Sequence, residues 1–166
     1  MPDLGELYDE DFYAWTLDQA AKLRAWPEHL RPNGIDIDHL AEEIEDLGRS
    51  ERHAIQSLME ELALHLLKLE FHPSVEAQNH WRAEVDSFRT QIHRRLRGNH
   101  TLRAQRGELY WDVWPDAAQR FRAIMEREVG VDAAVLARLG ADQPAYAVDD
   151  ELLAKGWYPE SRPAAG

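Results

Sequence analysis

The sequence predicts an all-α, single-domain helical bundle of about four principal helices, with one long central helix and short C-terminal helices. Three observations lead to this prediction. Apolar residues recur at intervals of three, four and seven over most of the chain, which is the period of an amphipathic helix. No run of alternating β-branched residues indicates a strand. The length of 166 residues suits one domain with one core.

The first principal helix is predicted to start at Asp9, which can cap its N-terminus, and to end before Pro27. The second is predicted to start at Asp36 or Asp38 and to run to Glu70 as one long helix. Gly48 is its weak point, and a bend there is left open. Its apolar stripe consists of Leu40, Ile44, Leu47, Ile55, Leu58, Leu62, Leu66 and Leu69.

A third helix is predicted after Asn79, which can cap it, and Gly98 supplies its stop. A fourth follows from Asn99 or Thr101. Pro115 lies inside this fourth helix and must either kink it or start a new one, because proline removes a backbone donor. The buried face of the third helix is predicted to be Trp81, Val85, Phe88, Ile92 and Leu96.

The C-terminal part is predicted to form short helices only. Gly130 ends the fourth helix, a short helix covers 132–138, and residues 149–155 form one or two turns. The domain core spans about residues 8–159. Residues 160–166 are small, polar and interrupted by proline, so we expect a frayed tail.

Composition excludes several classes of protein. The chain has no cysteine, so disulfides, cysteine-based zinc sites and thiol nucleophiles are excluded. No apolar run approaches the roughly 20 residues that span a bilayer, so no membrane association is expected. The first residues are acidic, unlike a secretory signal. These features predict a cytoplasmic protein.

The net charge of −12 is distributed in blocks. Residues 36–62 carry 9 acids and 2 bases, whereas residues 77–106 carry 2 acids and 7 arginines. The basic block favours either a nucleic-acid surface or pairing with the acidic block inside the fold. We favour pairing, because the net charge repels polyanions. The arginines considered for nucleic-acid binding are Arg82, Arg89, Arg94, Arg95 and Arg97.

Several motifs resemble a bacterial family known as domain of unknown function 29. They are Tyr8–Trp15, Leu40–Glu51, Leu64–Lys68 followed by Pro73, Trp81–Arg82, Glu128–Gly130 and Trp157–Pro159. The resemblance spans about residues 8–159, and 42–51 is its most specific part. The chain departs from the family pattern at His72 and at His100–Thr101. The resemblance implies a helical fold and brings no established activity or cofactor.

Polar residues of the long helix and of the third helix are the candidates for a site. Their spacing places Glu61 with His65, His39 with Glu43, and Glu42 with Asp46 one helical turn apart. His39, Glu61 and His65 are weak metal candidates, because no Glu-x-x-His pattern accompanies them. No cofactor is predicted, since phosphate-binding and nucleophile motifs are absent. The candidate polar cluster is Glu42, Glu43, Asp46, Glu61, His65, Lys68, Arg82 and Arg89.

Each of these residues also has a structural interpretation, which the sequence favours. His65 is then a partly buried core histidine bonded to Glu61 or to a carbonyl one turn earlier. Glu45 or Asp46 pairs with Arg49. Arg82 or Arg89 meets another acid across the bundle, and Lys68 satisfies carbonyls at the helix end.

Tyr110, Trp111 and Trp114 encircle the fourth helix near Pro115, so at least one of them should face outward. An exposed aromatic patch there would mark an interaction surface. The favoured function is a cytoplasmic protein-interaction or regulatory module that self-associates or binds a protein partner. The alternative is a metal-dependent, hydrolase-like bundle that uses His65 with the acids of the long helix. Whether the protein is an enzyme stays open.

Overall fold

The computed structural model describes residues 3–165, and this part of the chain is helical, with one isolated β-bridge between Asp11 and Asn99. The predicted all-α class is confirmed. A 3₁₀ turn covers Glu28–Leu30 and a π-helical turn covers Val148–Leu152. The α-helices are α1 (Leu4–Glu10), α2 (Phe12–Arg24), α3 (Ile37–Phe71), α4 (Gln78–Arg97), α5 (His100–Ala104), α6 (Arg106–Glu128) and α7 (Ala133–Leu139).

The chain divides into two compact units. Unit 1 comprises the residues up to Ile55 together with Arg94–Gln105, and unit 2 comprises Gln56–His93 together with the chain from Arg106 onward. The long helix α3 and the helix α4 each contribute residues to both units.

In unit 1, the predicted first helix is two helices, because the chain leaves the helix at Asp11. Its carboxylate accepts hydrogen bonds from the backbone of Ala14 in α2 (3.2 Å) and of Thr101 in α5 (2.9 Å). Asn99 in turn accepts one from the backbone of Tyr13 (2.9 Å). Asp11 and Asn99 thus satisfy free N–H groups at the starts of α2 and α5. The prediction that Asp9 caps this helix is wrong.

At Gly48, α3 packs directly against Thr16 of α2, and α3 is continuous through this position. A Cβ atom at Gly48 would overlap Oγ1 of Thr16 and lie 3.2 Å from its Cβ. The Thr16 hydroxyl is held in place, because it donates to the carbonyl of Tyr13 (2.7 Å). Gly48 is therefore required by packing, which compensates for its low helix propensity.

The break in the predicted fourth helix lies at Gln105, between α5 of unit 1 and α6 of unit 2, and α6 then continues through Pro115. Proline removes the hydrogen bond to the carbonyl of Trp111. Pro115 and Trp111 are both exposed residues, so they lie on the solvent side of α6. Of the two outcomes predicted for Pro115, a kink or a new helix, the new helix does not occur, because α6 is continuous through it.

The C-terminal segment, for which the sequence predicts a frayed tail, forms backbone hydrogen bonds with the end of α3, and Gly166 lies outside the described residues. The backbone of Arg162 donates to the carbonyl of Glu70 (2.6 Å), and that of Ala164 donates to the carbonyl of Phe71 (2.9 Å). The last carbonyls of a helix have no partner within the helix. The segment supplies those partners for α3, which is why a polar sequence is ordered here.

We predict that Gly48→Ala lowers the free energy of unfolding by about 1–3 kcal/mol, because overpacking outweighs the gain in helix propensity. Urea denaturation measures this change. The same substitution in a Thr16→Ala background should cost less, since the closest atom is then absent. Equal costs in both backgrounds would show that this contact does not explain Gly48.

Candidate functional site

The acidic run of α3 lies on the surface of unit 1. Asp46 pairs with Arg49, as predicted, and Glu45 pairs with Arg24 (2.5 Å). Glu42 and Glu43 are exposed, and neither forms an ion pair with any residue in the range 3–165. The acidic run is thus partly neutralised within unit 1 and leaves two carboxylates open to a partner.

His39 pairs with Asp36, and not with Glu43 as its spacing suggested. Its Nδ1 lies 2.6 Å from Oδ2 of Asp36, whose other oxygen accepts from the backbone of His39 at the start of α3. The hydrogen bond with Asp36 raises the pKa of His39 above its ordinary value. This arrangement is a helix cap with a charged partner.

His65 lies in the core of unit 2 and is a hydrogen-bonded core histidine, as its structural interpretation predicted. Its Nδ1 donates to the carbonyl of Glu61 at 2.7 Å, and its ring contacts Phe88 edge-on at 5.2 Å. Burial lowers the pKa of His65. The Glu61 carboxylate is committed to Arg120, 2.6 Å away. The ring therefore stays neutral at pH 7 and donates to its own helix.

Lys68 does not bind carbonyls at the end of α3, so that prediction is wrong. Its ammonium group lies over the ring of Trp81, 5.8 Å from the centroid. Burial lowers its pKa. The contact is a cation–π interaction on a half-buried lysine.

Arg89 does not meet an acid across the fold, which corrects the sequence interpretation. It is fully buried, and its guanidinium donates to the carbonyls of Leu152 (2.9 Å), Glu151 (2.9 Å) and Trp157 (2.7 Å). The nearest carboxylate, that of Asp86 on the same helix, is 4.0 Å away. Arg89 is the residue that fixes the chain around the π-helical turn, where backbone carbonyls are free to accept.

The other arginines considered for nucleic-acid binding are also divided in role. Arg82 lies over the ring of Tyr158, 4.8 Å from its centroid, and Arg95 pairs with Glu51 at 2.6 Å. The Arg95–Glu51 pair joins the basic block to the acidic block within unit 1. Of the five, Arg82, Arg94 and Arg97 are exposed without a described ion pair, and Arg82 stacks on Tyr158. Three such charges on a chain of net charge −12 are a weak basis for binding a polyanion.

The aromatic patch predicted on the fourth helix is reduced to one residue. Tyr110 and Trp114 are buried, and they contact each other at 6.1 Å in the core of unit 2. Trp111 is 52% exposed, so the prediction that at least one ring faces outward is confirmed. The period of α6 explains the difference, because Tyr110, Val113 and Trp114 share its buried face.

The weak metal candidates do not come together as a ligand set. Glu61 and His65 lie in unit 2, and their side chains approach only to 4.0 Å. His39 lies in unit 1 with Asp36 as its partner. Across the range 3–165, no group of three or more His, Cys, Asp or Glu side chains is arranged to hold a metal ion.

The sequence did not single out the polar network around Glu70. This residue is 1% exposed, and its Oε2 accepts a hydrogen bond from the hydroxyl of Tyr146 at 2.7 Å. Arg138 and Arg162 approach the same carboxylate at 3.5 and 3.2 Å. A signal was present, because Leu69 and Phe71 on either side of Glu70 are core residues. Its partners come from more than 60 positions later and leave no local pattern.

Comparison with known proteins gives a family and a fold. The model of the family described as "Domain of unknown function DUF29" matches residues 7–158. The chain belongs to the DUF29 family. It is also similar to an α-helical protein of unknown function from Rhodospirillum rubrum, known from a crystal structure. The two share 25% identity over 90% of each chain, with a TM-score of 0.66. None of the curated proteins matches the chain.

DUF29 membership and the structural similarity confirm the helical fold, and neither comparison assigns an activity. In the described part of this DUF29 protein, no helix has the length and apolarity that crossing a membrane requires.

We predict that Arg89→Lys destabilises this DUF29 protein by roughly 2–4 kcal/mol, because one ammonium group cannot reach three separated carbonyls. Urea denaturation provides the measurement. Arg127→Lys is the matched control, since Arg127 is exposed and pairs only with Glu128. A loss of the same small size in both variants would contradict the role given to Arg89.

We also predict that stability falls as the pH drops below 6.5, the ordinary pKa of histidine, in part through His65. Its pKa is lowered in the folded state, so the unfolded chain binds the proton more readily between those two values. His65→Gln should therefore flatten the decline, measured by urea denaturation from about pH 8 to pH 5.

His39→Gln serves as the control of opposite sign. The folded-state pKa of His39 is raised, so its contribution to stability is present at low pH and is lost as the pH rises. Removing it should steepen the decline on acidification. An unchanged slope in His65→Gln would show that burial of this histidine is not coupled to stability.

Proposed function

We propose that this protein is a cytoplasmic protein-interaction module, and that its docking surface is the α3 stripe, defined here as Leu40, Glu43 and Leu47. These residues are three and four positions apart and therefore share one face of α3. Leu40 is 47% and Leu47 is 54% exposed. Two large exposed leucines on one helix face, next to a carboxylate without an ion pair, are the observation that carries the proposal.

The small core of unit 1 supports this role. Eight of the eleven large hydrophobic side chains that are exposed in residues 3–165 belong to unit 1. In α2, only Thr16 and Ala20 are buried. The buried hydrophobic residues of unit 1 are Ala20, Ile37, Ala41, Ile55, Leu96 and Leu102. Unit 1 thus leaves apolar surface that a partner would cover.

Charge indicates the kind of partner. Glu43 lies on the same face as the two leucines, is exposed and makes no described ion pair, so the surface beside the leucines carries a negative charge. A second copy of the chain would bring acids against acids. A helix with an apolar face flanked by lysine or arginine complements both the leucines and the charge. We therefore assign the α3 stripe to a basic, amphipathic partner helix.

Two synthetic helical peptides test this assignment. Both carry the same leucine face, and one is flanked by lysines and the other by glutamates. Fluorescence anisotropy at physiological salt should show binding of the lysine peptide only. Leu40→Ala with Leu47→Ala should weaken that binding at least about tenfold, because two apolar contacts are lost while the charge is unchanged.

Leu136→Ala is the matched control, since Leu136 is a similarly exposed leucine on α7 in unit 2. It should leave peptide binding unchanged. Equal binding by the double variant would overturn the docking surface. Light scattering should show a monomer; a dimer that the double variant dissociates would replace the basic helix by a second copy as the occupant.

A further inference from the structure

Unit 2 contains a cavity of about 380 Å³ beside the C-terminal end of α3. Small apolar residues form part of its wall, among them Ala137, Pro144 and Ala145. Its charged lining residues are Glu70, Arg138 and Arg162. A volume of this size is at the lower end for small-molecule sites, which combine apolar walls with a few polar groups.

Glu70 brings a buried carboxylate to this cavity. The Tyr146 hydroxyl donates to its Oε2, which fixes the orientation of the carboxylate. Its other oxygen, Oε1, is buried and lies 3.2 Å from Nη2 of Arg162, but it accepts no hydrogen bond from the part of the chain described. A buried carboxylate oxygen without a hydrogen bond is costly, so a ligand donor that displaces the Arg162 contact and bonds Oε1 would be favoured.

The two arginines bring donors and a net positive charge. The guanidinium of Arg138 stacks over the ring of Tyr146, 5.1 Å from its centroid, and its terminal nitrogens donate no described hydrogen bond. Arg162 is 63% exposed at its side chain, and its Nη2 lies 3.2 Å from Oε1 of Glu70. Two guanidinium groups against one carboxylate leave the lining at a charge of about +1, which favours an anion.

We propose that this cavity binds a small carboxylic acid with a hydroxyl or amino group next to its carboxylate. The ligand carboxylate lies between Arg138 and Arg162, because a planar guanidinium matches a carboxylate with two donors. The neighbouring hydroxyl or amino group donates to Oε1 of Glu70. The short carbon chain packs on the alanine and proline wall. This site is separate from the α3 stripe and does not depend on it.

The network also has a structural task, since Arg162 belongs to the segment that donates to the last carbonyls of α3. That task by itself uses the backbone of Arg162. It leaves the terminal nitrogens of Arg138 without a described hydrogen bond and Oε1 of Glu70 with an ion pair but no hydrogen bond. The binding experiment therefore needs variants that keep the segment in place. Arg138→Gln and Arg162→Gln change side chains only.

Calorimetric titration of the full chain with four probes tests the site. L-lactate and L-alanine carry both groups, propionate lacks the donor, and n-propylamine lacks the carboxylate. At least one of the first two should bind with a 1:1 stoichiometry, and whichever binds more tightly identifies the donor as hydroxyl or amino. Propionate should bind about tenfold more weakly and n-propylamine should not bind.

The variants should confirm the residues. Arg138→Gln and Arg162→Gln should each weaken binding about tenfold while circular dichroism shows a folded chain. Arg127→Gln, an exposed arginine outside the cavity, is the matched control and should bind as the unmodified protein does. If a glutamine variant does not fold, Arg138→Lys replaces it, since it keeps the charge and loses the planar donor pair.

Three results would overturn the proposal. The first is that neither lactate nor alanine saturates the protein at roughly 50 mM. The second is that propionate binds as tightly as lactate and alanine, which removes the role of Glu70. The third is that the folded cavity variants bind as tightly as Arg127→Gln. A failure of this kind leaves the α3 stripe untouched, because its test uses other residues and another ligand.

Discussion

The enclosure of the last ten residues of α3 is the constraint on which unit 2 depends. Every residue from Leu62 to Phe71 is buried except Lys68, which is half-buried. A helix that is enclosed on all sides has no solvent face for its ionisable residues. His65, Lys68 and Glu70 must therefore find their partners within the protein. Each of the three has a different kind of partner.

His65 donates to its own helix and stays neutral, which needs no other element. Lys68 keeps its charge next to an aromatic face. Glu70 takes a different course, because a buried carboxylate needs donors and positive charge. Its carboxylate contacts Tyr146, Arg138 and Arg162, so one acid of α3 positions the chain after α7. The cavity lined by Glu70 is a consequence of that demand.

Arg89 acts on the same chain segment with the opposite charge. The guanidinium of Arg89, on α4, is buried and has only hydrogen-bond donors. It therefore needs carbonyl oxygens that do not already accept a hydrogen bond within a helix. The π-helical turn and the residues after it supply them, at Glu151, Leu152 and Trp157. Two buried charges, one on α3 and one on α4, give the C-terminal part of unit 2 a fixed path.

The sequence allowed the helices to be predicted because their period is local. The long helix was expected from Asp36 or Asp38 to Glu70, and the structure gives Ile37–Phe71 with Asp36 as the cap. Capping across the chain was not predictable, because Asp11 serves α5 as well as α2. The break at Gln105 was missed for a related reason: Pro115 is the stronger local signal, yet its exposed position makes it harmless.

The difference between a local pattern and a partner distant in the chain also explains how much of the candidate site could be predicted. Arg89 lies four residues after Val85 and three before Ile92, so the apolar period of α4 already placed it on the buried face. A charged side chain is rarely fully buried, so this position on the buried face requires partners for the guanidinium of Arg89. What the period could not supply was the identity of its acceptors, which are backbone atoms some 60 positions later. Backbone acceptors leave no mark in the sequence.

The two units differ in how completely their apolar side chains are buried, and therefore in the kind of molecule that each can bind. Unit 2 contains most of the buried hydrophobic residues, and its Glu70, Arg138 and Arg162 side chains line one cavity. Unit 1 has few buried apolar side chains and instead places Leu40 and Leu47 in solvent on a helix with open carboxylates. Exposed leucines next to acids weaken a fold and improve a binding surface, because the apolar area is buried only when a partner is present. The small number of buried apolar side chains in unit 1 is therefore the reason to look for a protein partner there. The charged side chains that line the cavity are the reason to look for a small ligand in unit 2.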